Sequence, residues 1–460
     1  MKVSSPTVRA VEICLWQDGV RDIVPSSADE EVGLPTDVDV AIVGAGYTGL
    51  WTAHYLNLVS PGTSILVIEA NHVGFGASGR NGGWCSSILP MSLDRVADMS
   101  SREDAIRLQN LMYDTVDEVG RQAASLGIDC GYKKGGYLGA IRDDRQMAAA
   151  RATFHEAETW GLAGDRVQLL DADTARQRLN ASRIEGALFH PDCAAIQPYQ
   201  LVTGLAGSLR DRGVTIAEHT TAFTLEPHLV RTSRGDVRTG RVIRATEAYS
   251  TRWKSERRRV VPLYSMMIAT EPLDDSTWST IGLSQRETFA DLRRMVIYGQ
   301  RTADGRIAFG GRGAPYHYAS RISPGFDQHA PTKKALEATL RDLFPVLHDV
   351  ATTHHWGGPL AAARDWTMSV GSEDGVLRGG AYVGDGVATS NLVGRILADL
   401  VAGRDSELTR VPFVGHRSRR WEPEPFRWIG INSLAALAKW SDTHRPGSKL
   451  AGRVVDSFLR

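Results

Sequence analysis

An α/β fold built on a Rossmann-type dinucleotide-binding unit is predicted by three features of this 460-residue chain. The run Val38-Asp39-Val40-Ala41-Ile42-Val43 feeds the turn Gly44-Ala45-Gly46-Tyr47-Thr48-Gly49, a helical stretch follows over 50–58, and a second β-branched run, 65–68, ends on Glu69. Strand, glycine turn, helix, strand and acid in that order give a G-x-G-x-x-G match its meaning. A second joint of the same kind comes late, where Ala381-Tyr382-Val383-Gly384-Asp385-Gly386 leads into a helical stretch over 387–401. Length is the third feature, because roughly 150 residues per domain makes two or three units of this chain.

Each position of the first joint has its own chemistry. Gly44 permits the tight turn, Gly46 lets the backbone approach a pyrophosphate, and Gly49 lets the helix pack closely on the strand. Phosphates then rest on free N–H groups at the positive end of the helix, with Ala45, Tyr47 and Thr48 completing the turn. Glu69, followed by Ala70, stands where an acid accepts hydrogen bonds from ribose hydroxyls, and its charge disfavours a 2′-phosphate. FAD or NAD is therefore expected, not NADP. Next comes Gly74-Phe75-Gly76-Ala77-Ser78-Gly79-Arg80-Asn81-Gly82-Gly83-Trp84, too rich in glycine for a stable helix or central strand. Such a loop can lie against a flat ligand.

An apolar content of 42% fits a packed globular enzyme. Lys+Arg and Asp+Glu balance at 53 each, so no long-range field steers the molecule to nucleic acid or an anionic membrane. Cys14, Cys85, Cys130 and Cys193 are far apart, show no metal-ligand or C-x-x-C pattern, and are expected to be reduced, mostly buried thiols. The N-terminus lacks the apolar core of a signal peptide, and no uncharged run reaches the length of a membrane helix. A cytoplasmic protein without a membrane span is expected.

Along the chain, residues 1–36 read as a polar arm over the surface. Helical spacing returns over 92–126 and 145–162, strand material over 127–142, and Asp171 is a candidate N-cap. An amphipathic helix ends near Arg212, a strand follows over 214–217, a hairpin passes through Arg234-Gly235-Asp236, and 241–246 forms another strand. Residues 261–272 and 306–311 read as strands, 332–344 as a helix. Trp356-Gly357-Gly358-Pro359 reads as a sharp break and 371–380 as turn-rich. The basic cluster from Arg417 to Arg420 reads as a solvated face, followed by a packing helix.

With these residues assembled, the chain resembles the FAD-dependent D-amino-acid oxidase superfamily. The likeness spans roughly 37–404 and is strongest to the gamma-glutamylputrescine oxidase-like amine oxidoreductases, through Gly76-Ala77-Ser78-Gly79-Arg80-Asn81-Gly82-Gly83 and Gly384-Asp385-Gly386-Val387-Ala388-Thr389. The resemblance implies a discontinuous FAD-binding domain (37–100, 175–250 and 355–410) and a substrate domain built on an antiparallel sheet (101–174 and 251–354). The N-terminal arm is 1–36 and a C-terminal extension is 411–460. It also implies that Ala245 and Thr246 close on the dinucleotide, and that 384–389 lies beside the flavin pyrimidine. A helix N-terminus there stabilises negative charge developing on the ring.

Three departures from the family shape the expectation. No cysteine follows Cys193 and no histidine stands in 74–84, so FAD is expected to be non-covalent. Leu360 takes the place of a carboxylate-binding arginine of glycine-oxidase-like members, with Arg364 four residues on. Ala308 takes the place of an oxygen-activating lysine, leaving the electron acceptor open between O2 and a protein or quinone carrier. The expected reaction oxidises the C–N bond of a primary or secondary amine, an amino acid or polyamine derivative. A hydride passes to flavin N5 and the imine hydrolyses in water. Trp84, Tyr264, Arg312, Trp356 and Arg364 are the candidates for the substrate region, with core packing and surface ion pairs as their competing roles. His190, His317, His354 and His355 are read as hydrogen-bonded, not catalytic. The alternatives are a D-amino acid or glycine-type oxidase, an NAD-linked dehydrogenase, and a flavin-dependent RNA-modifying enzyme, which zero net charge argues against.

Overall fold

The computed structural model describes residues 14–18 and 33–443. The chain opens with β1 (Asp37–Val43), α1 (Tyr47–Val59) and β2 (Ile65–Ile68), then passes through the short strand β3 (Trp84–Ser86) and the helices α2 (Leu93–Met99) and α3 (Arg102–Ser125). It next lays down β4 (Tyr137–Ile141), α4 (Asp144–Trp160), β5 (Gln168–Leu170), α5 (Ala172–Arg178) and β6 (Gly186–His190), and β7 (Cys193–Ala195) pairs with β3. α6 (Pro198–Asp211) leads into β8 (Thr215–Ala217), β9 (Ala222–Glu226), β10 (Leu229–Thr232) and β11 (Gly235–Arg244). There follow β12 (Val260–Thr270), α7 (Asp275–Ile281), β13 (Thr288–Asp291), β14 (Ile297–Arg301), β15 (Ile307–Gly311), α8 (Ala330–Leu343) and β16 (Thr352–Ala363). The hairpin of β17 (Ser369–Glu373) and β18 (Val376–Gly380), then α9 (Gly386–Val401) and α10 (Phe426–Thr443), end the described chain.

Two large sheets carry the molecule. The first, ordered β17-β18-β11-β1-β2-β8, is parallel from β18 to β8 and extended by the β9–β10 hairpin. Its central strand β1 is buried from Val40 to Val43, as an apolar run covered on both faces must be. The tight joint above it rests on two glycines. Gly44 has φ +111°, and a Cβ on Gly49 would stand 2.0 Å from the Gly44 carbonyl oxygen, so only glycine lets α1 sit directly over the turn. The second sheet, β16-β12-β15-β14-β13-β4-β6-β5, is antiparallel except for the β13–β4 pair. α1 packs against α9 and α6 on one face of the first sheet, with Leu50, Trp51 and Leu56 fully buried.

Local rules account for the element ends. Asp171 caps α5 by accepting from the Thr174 N–H at 2.8 Å, as its position predicts. Gly161, in the left-handed region, ends α4. All four cysteines are buried free thiols. Among the described residues no helix is long and apolar enough to cross a membrane.

The structure corrects four expectations. Residues 186–190 and 352–363 hydrogen-bond into the second sheet, so the chain reaches the first sheet after β7, not at 175, and returns at β17, not at 355. Trp356-Gly357-Gly358-Pro359 is not a break but the middle of β16. That strand forms the sheet edge, where the missing N–H of Pro359 interrupts no central ladder. The turn-rich 371–380 is the β17–β18 hairpin. Of the N-terminal arm, Cys14, Leu15 and Trp16 are buried, not laid over the surface, while 1–13 and 19–32 lie outside the described residues, as do 444–460 of the C-terminal extension.

Candidate active site

A cavity of about 760 Å³ runs between the two sheets. One end is walled by Thr220, Thr221, Phe223 and Trp253, its middle by the Gly44 turn, Glu69 and the glycine-rich loop, and its far end by Trp84, Tyr137, Tyr298, Leu360 and the start of α9. The glycine cradle fits a pyrophosphate: a Cβ on Gly46 would lie 2.9 Å from Ser78 Oγ, so the backbone there leaves room for no side chain. Ser78 Oγ in turn accepts the first helical N–H of α1, from Tyr47, at 2.9 Å. Glu69 is half-buried at the cavity wall, and the loss of solvent around it raises its carboxyl above the usual range. One oxygen accepts from the Ala45 N–H and the other from the Asn71 N–H, each at 2.9 Å. These bonds fix the carboxylate at the cavity wall while leaving lone pairs on both oxygens for ribose hydroxyls. An elongated cleft with an acid in its middle, a phosphate turn beside it and a second helix N-terminus at its far end fits an extended dinucleotide.

The glycine-rich loop is pinned from several sides. Arg80 bonds Asp327 at 2.6 Å and the Tyr249 hydroxyl at 3.1 Å, and its guanidinium lies 5.2 Å from the Phe75 ring. Asn81 Nδ2 donates to the Ala77 and Ser78 carbonyls, and its Oδ1 accepts from Gly83 N–H. Behind the loop, Trp356 Nε1 donates to the Arg80 carbonyl at 2.9 Å and Trp16 Nε1 to the Asn81 carbonyl at 2.8 Å, the two indoles meeting edge to face at 6.0 Å.

At the far end Trp84 lies 5.1 Å from Tyr137 and 6.0 Å from Tyr298, whose hydroxyl bonds Ser265 Oγ at 2.7 Å. Arg312 donates from Nη2 to the Val383 carbonyl at 2.8 Å, and burial lowers its guanidinium pKa. Burial pushes the Asp385 carboxyl up to about 6, against the opposing pull of the Arg312 charge. Glu247, pushed to about 7 by burial, accepts from the Ala361 and Tyr382 N–H groups and ties β16 to the α9 joint.

A sequence model described as FAD dependent oxidoreductase (DAO) matches residues 39–400. The chain belongs to this family. It is 30% identical over 411 residues to the gamma-glutamylputrescine oxidoreductase of Escherichia coli (strain K12), covering 85% of this chain and 91% of the relative. It is 21% identical over 397 residues to the glycine oxidase of Geobacillus kaustophilus (strain HTA426), covering 82% and 96%. Among solved structures, the crystal structure of Geobacillus kaustophilus glycine oxidase superposes with a TM-score of 0.69 at 20% identity, covering 84% of this chain and 100% of that one. L-proline dehydrogenase from P.horikoshii gives 0.67 at 19%, covering 83% and 98%. The protein is thus an FAD-dependent oxidoreductase with the DAO fold.

In this oxidoreductase most of the residues singled out in the sequence line the one cavity. Gly44, Gly46, Tyr47, Thr48, Glu69 and Ala70 stand at its middle, with Gly76, Ala77, Ser78, Arg80, Asn81 and Gly82 over them. Ala245 and Thr246 face them, and Trp84, Arg312, Gly384, Asp385, Gly386 and Val387 stand at the far end. Others do not reach the wall. Ala45 acts through its N–H to Glu69, and Gly49 packs α1 on β1. Gly83, at φ +70°, abuts Gln300 and Ile196. Ala388 is buried within α9, where the Thr389 hydroxyl bonds the Asp385 carbonyl.

Three substrate-region candidates are corrected. Tyr264 points away, its ring packed on His317 and Phe326, because side chains alternate along β12 and the cavity side takes Ser265 and Met267. Trp356 is fully buried behind the glycine loop. Arg364 lies past the wall, bonded to Glu422 at 3.1 Å with its guanidinium 5.2 Å from Trp421. Leu360 does line the cavity, while Ala308 is buried in the core with Trp16 and Trp356. The four histidines have structural partners: His190 stacks on Tyr137, His317 on Phe326, His354 bonds Asp18, and His355 bonds the Met267 carbonyl. Tyr137, Tyr298 and Ser265 were missed by sequence reasoning. Finding them required the strand register that sets which alternate residues face inward.

Proposed function

We propose that this oxidoreductase oxidises the C–N bond of a primary or secondary amine, and that the residues named along the cavity wall hold its FAD without a covalent link. The wall itself carries the reading. Its far end is mostly aromatic and aliphatic, formed by Trp84, Tyr137, Tyr298, Leu292, Val296 and Leu360, with Ser265 and the opposed charges of Arg312 and Asp385 as its polar groups. Desolvation in such a chamber disfavours an ammonium and favours the neutral amine, the form able to give up an α-hydride. Bound FAD supplies the two-electron acceptor for that hydride. The rings hold the amine in a reactive geometry, a contribution that can reach about 7–11 kcal/mol, and the chamber excludes water until the imine leaves and hydrolyses. The positive end of α9 favours negative charge beside it. Among the described residues no cysteine or histidine lines the cavity, which supports non-covalent binding. The Escherichia coli relative, named for gamma-glutamylputrescine, is in keeping with an amine substrate.

One observation favours a second reading, a D-amino acid or glycine-type oxidase. Arg312 lines the cavity and gives one Nη2–H to Val383, leaving other donors able to meet a carboxylate. The family match leaves the NAD-linked alternative without support. Anaerobic mixing with putrescine derivatives, N-methyl amino acids and D-amino acids, followed by flavin bleaching, separates the readings. Bleaching by polyamine derivatives supports the first, and bleaching by D-amino acids alone overturns it. Repeating the reaction in air shows whether O2 is the acceptor.

A further inference from the structure

Ten large hydrophobic side chains are exposed among the described residues, and four of them, Phe426, Trp428, Ile429 and Trp440, stand on the single helix α10. Phe426 is 68% exposed and Ile429 50%, so half or more of each side chain is left open to solvent. With Ala436 also exposed, Phe426, Ile429, Ala436 and Trp440 repeat at steps of three, seven and four, so they share one helix face. The opposite face is anchored. Arg427 is buried and bonds Glu424 and the Arg257 carbonyl, and Ala438 and Ser441 are buried farther along.

Charge gathers on the same part of the chain. From residue 417 to the end there are nine Lys and Arg against four Asp and Glu, a local excess of +5 in a protein whose total is zero. Arg417, Arg419 and Arg420 are exposed just before the helix. An apolar aromatic face beside a basic cluster matches an anionic lipid surface in both respects, since either signal alone gives weak and reversible binding. A second copy of this chain would place the same exposed arginines, Arg417, Arg419 and Arg420, against their own counterparts.

The helix also touches the rim of the cavity. The Asp442 carboxylate accepts from the Arg294 and Met295 N–H groups, and the next residue, Val296, lines the cavity. Arg145 of α4 donates to the Ser441 and Asp442 carbonyls, and Ala149 and Thr153 of the same helix line the cavity too. We infer that α10 is a membrane-surface docking helix, which lies in the headgroup layer of an anionic bilayer and brings the rim of the cavity to that layer. The inference is independent of which amine is oxidised.

The test is co-sedimentation of the FAD-loaded full chain with vesicles of phosphatidylcholine alone and of phosphatidylcholine with one-quarter phosphatidylglycerol. The anionic vesicles should take up the protein at least about tenfold better, and salt should weaken binding as it screens the basic cluster. Phe426→Ser with Ile429→Ser should lower partitioning by about tenfold or more, since each removes most of an inserted side chain. These positions are exposed, so flavin content and Tm should stay those of the parent. Arg417→Glu with Arg419→Glu and Arg420→Glu should remove the preference for anionic lipid. Equal binding by parent and variants overturns the inference, as does a protein that ignores both vesicles and sediments as a dimer dissociated by the Phe426 and Ile429 changes.

Discussion

Gly46 and Ser78 show how little room the phosphate turn leaves. With a Cβ already 2.9 Å from Ser78 Oγ, the branched side chain of Gly46→Val would fill the space proposed for a pyrophosphate. The purified variant is expected to lose most of its FAD, read as the ratio of flavin to protein absorbance, and full occupancy would contradict the placement of that turn. Asp385 supports a pH prediction. Burial raises its carboxyl to about 6, above the ordinary value near 4, so the folded chain holds this proton more tightly than the unfolded chain does. The stability it contributes is present at low pH and is lost as pH rises from about 4 through about 6. In the flavin-free protein, Asp385→Asn should therefore flatten the fall of Tm across that window. A slope from Glu247, raised to about 7, should persist above it, and an Asp385→Asn slope equal to the parent's would contradict this account.

At the scale of elements, β12 and β16 decide which residues line the cavity. Pairing Met267 with Trp356 sets the register by which Ser265 and Leu360 reach the wall while Tyr264 turns to the outer core. Trp356 is then a support for the glycine loop. Trp356→Ala should cost about 3–5 kcal/mol, the range for emptying a large aromatic site, measured by urea unfolding. Arg364 is the contrasting case. Arg364→Ala cuts an ion pair outside the cavity and should leave the rate of flavin reduction within roughly twofold, since changes away from a site rarely exceed ~0.5 kcal/mol. A large drop would return Arg364 to the substrate wall.

For the whole molecule, the site exists only where distant segments converge. Trp16, the β1 turn, the 76–83 loop, β12, β16 and α9 come from both ends and the middle of the chain, yet all bear on one cleft. Trp16 shows the consequence: it is not part of the cavity wall but, from behind it, holds the Asn81 carbonyl. Trp16→Ala should speed FAD dissociation by about tenfold, the equivalent of roughly 1.4 kcal/mol, measured by flavin fluorescence on dilution. An unchanged rate would make the N-terminal segment mere packing.

The joints at Gly44 and Gly384 and the acid at Glu69 were legible in the sequence, because each depends on local backbone geometry that a few consecutive residues dictate. The same holds for the helices, whose caps and periodicity are local. The second sheet's extent, the strand through Trp356 to Pro359, the buried Trp16 and the ring of Tyr137, Tyr298 and Ser265 were not. Strand register and the meeting of chain ends are set by contacts between residues far apart in sequence, and alternation along a strand sends neighbours to opposite faces once a register is chosen. The amino-acid order thus determined what kind of cofactor the chain takes and where its glycine turns fall; only the packing of one sheet against the other decided which side chains line the cavity between them.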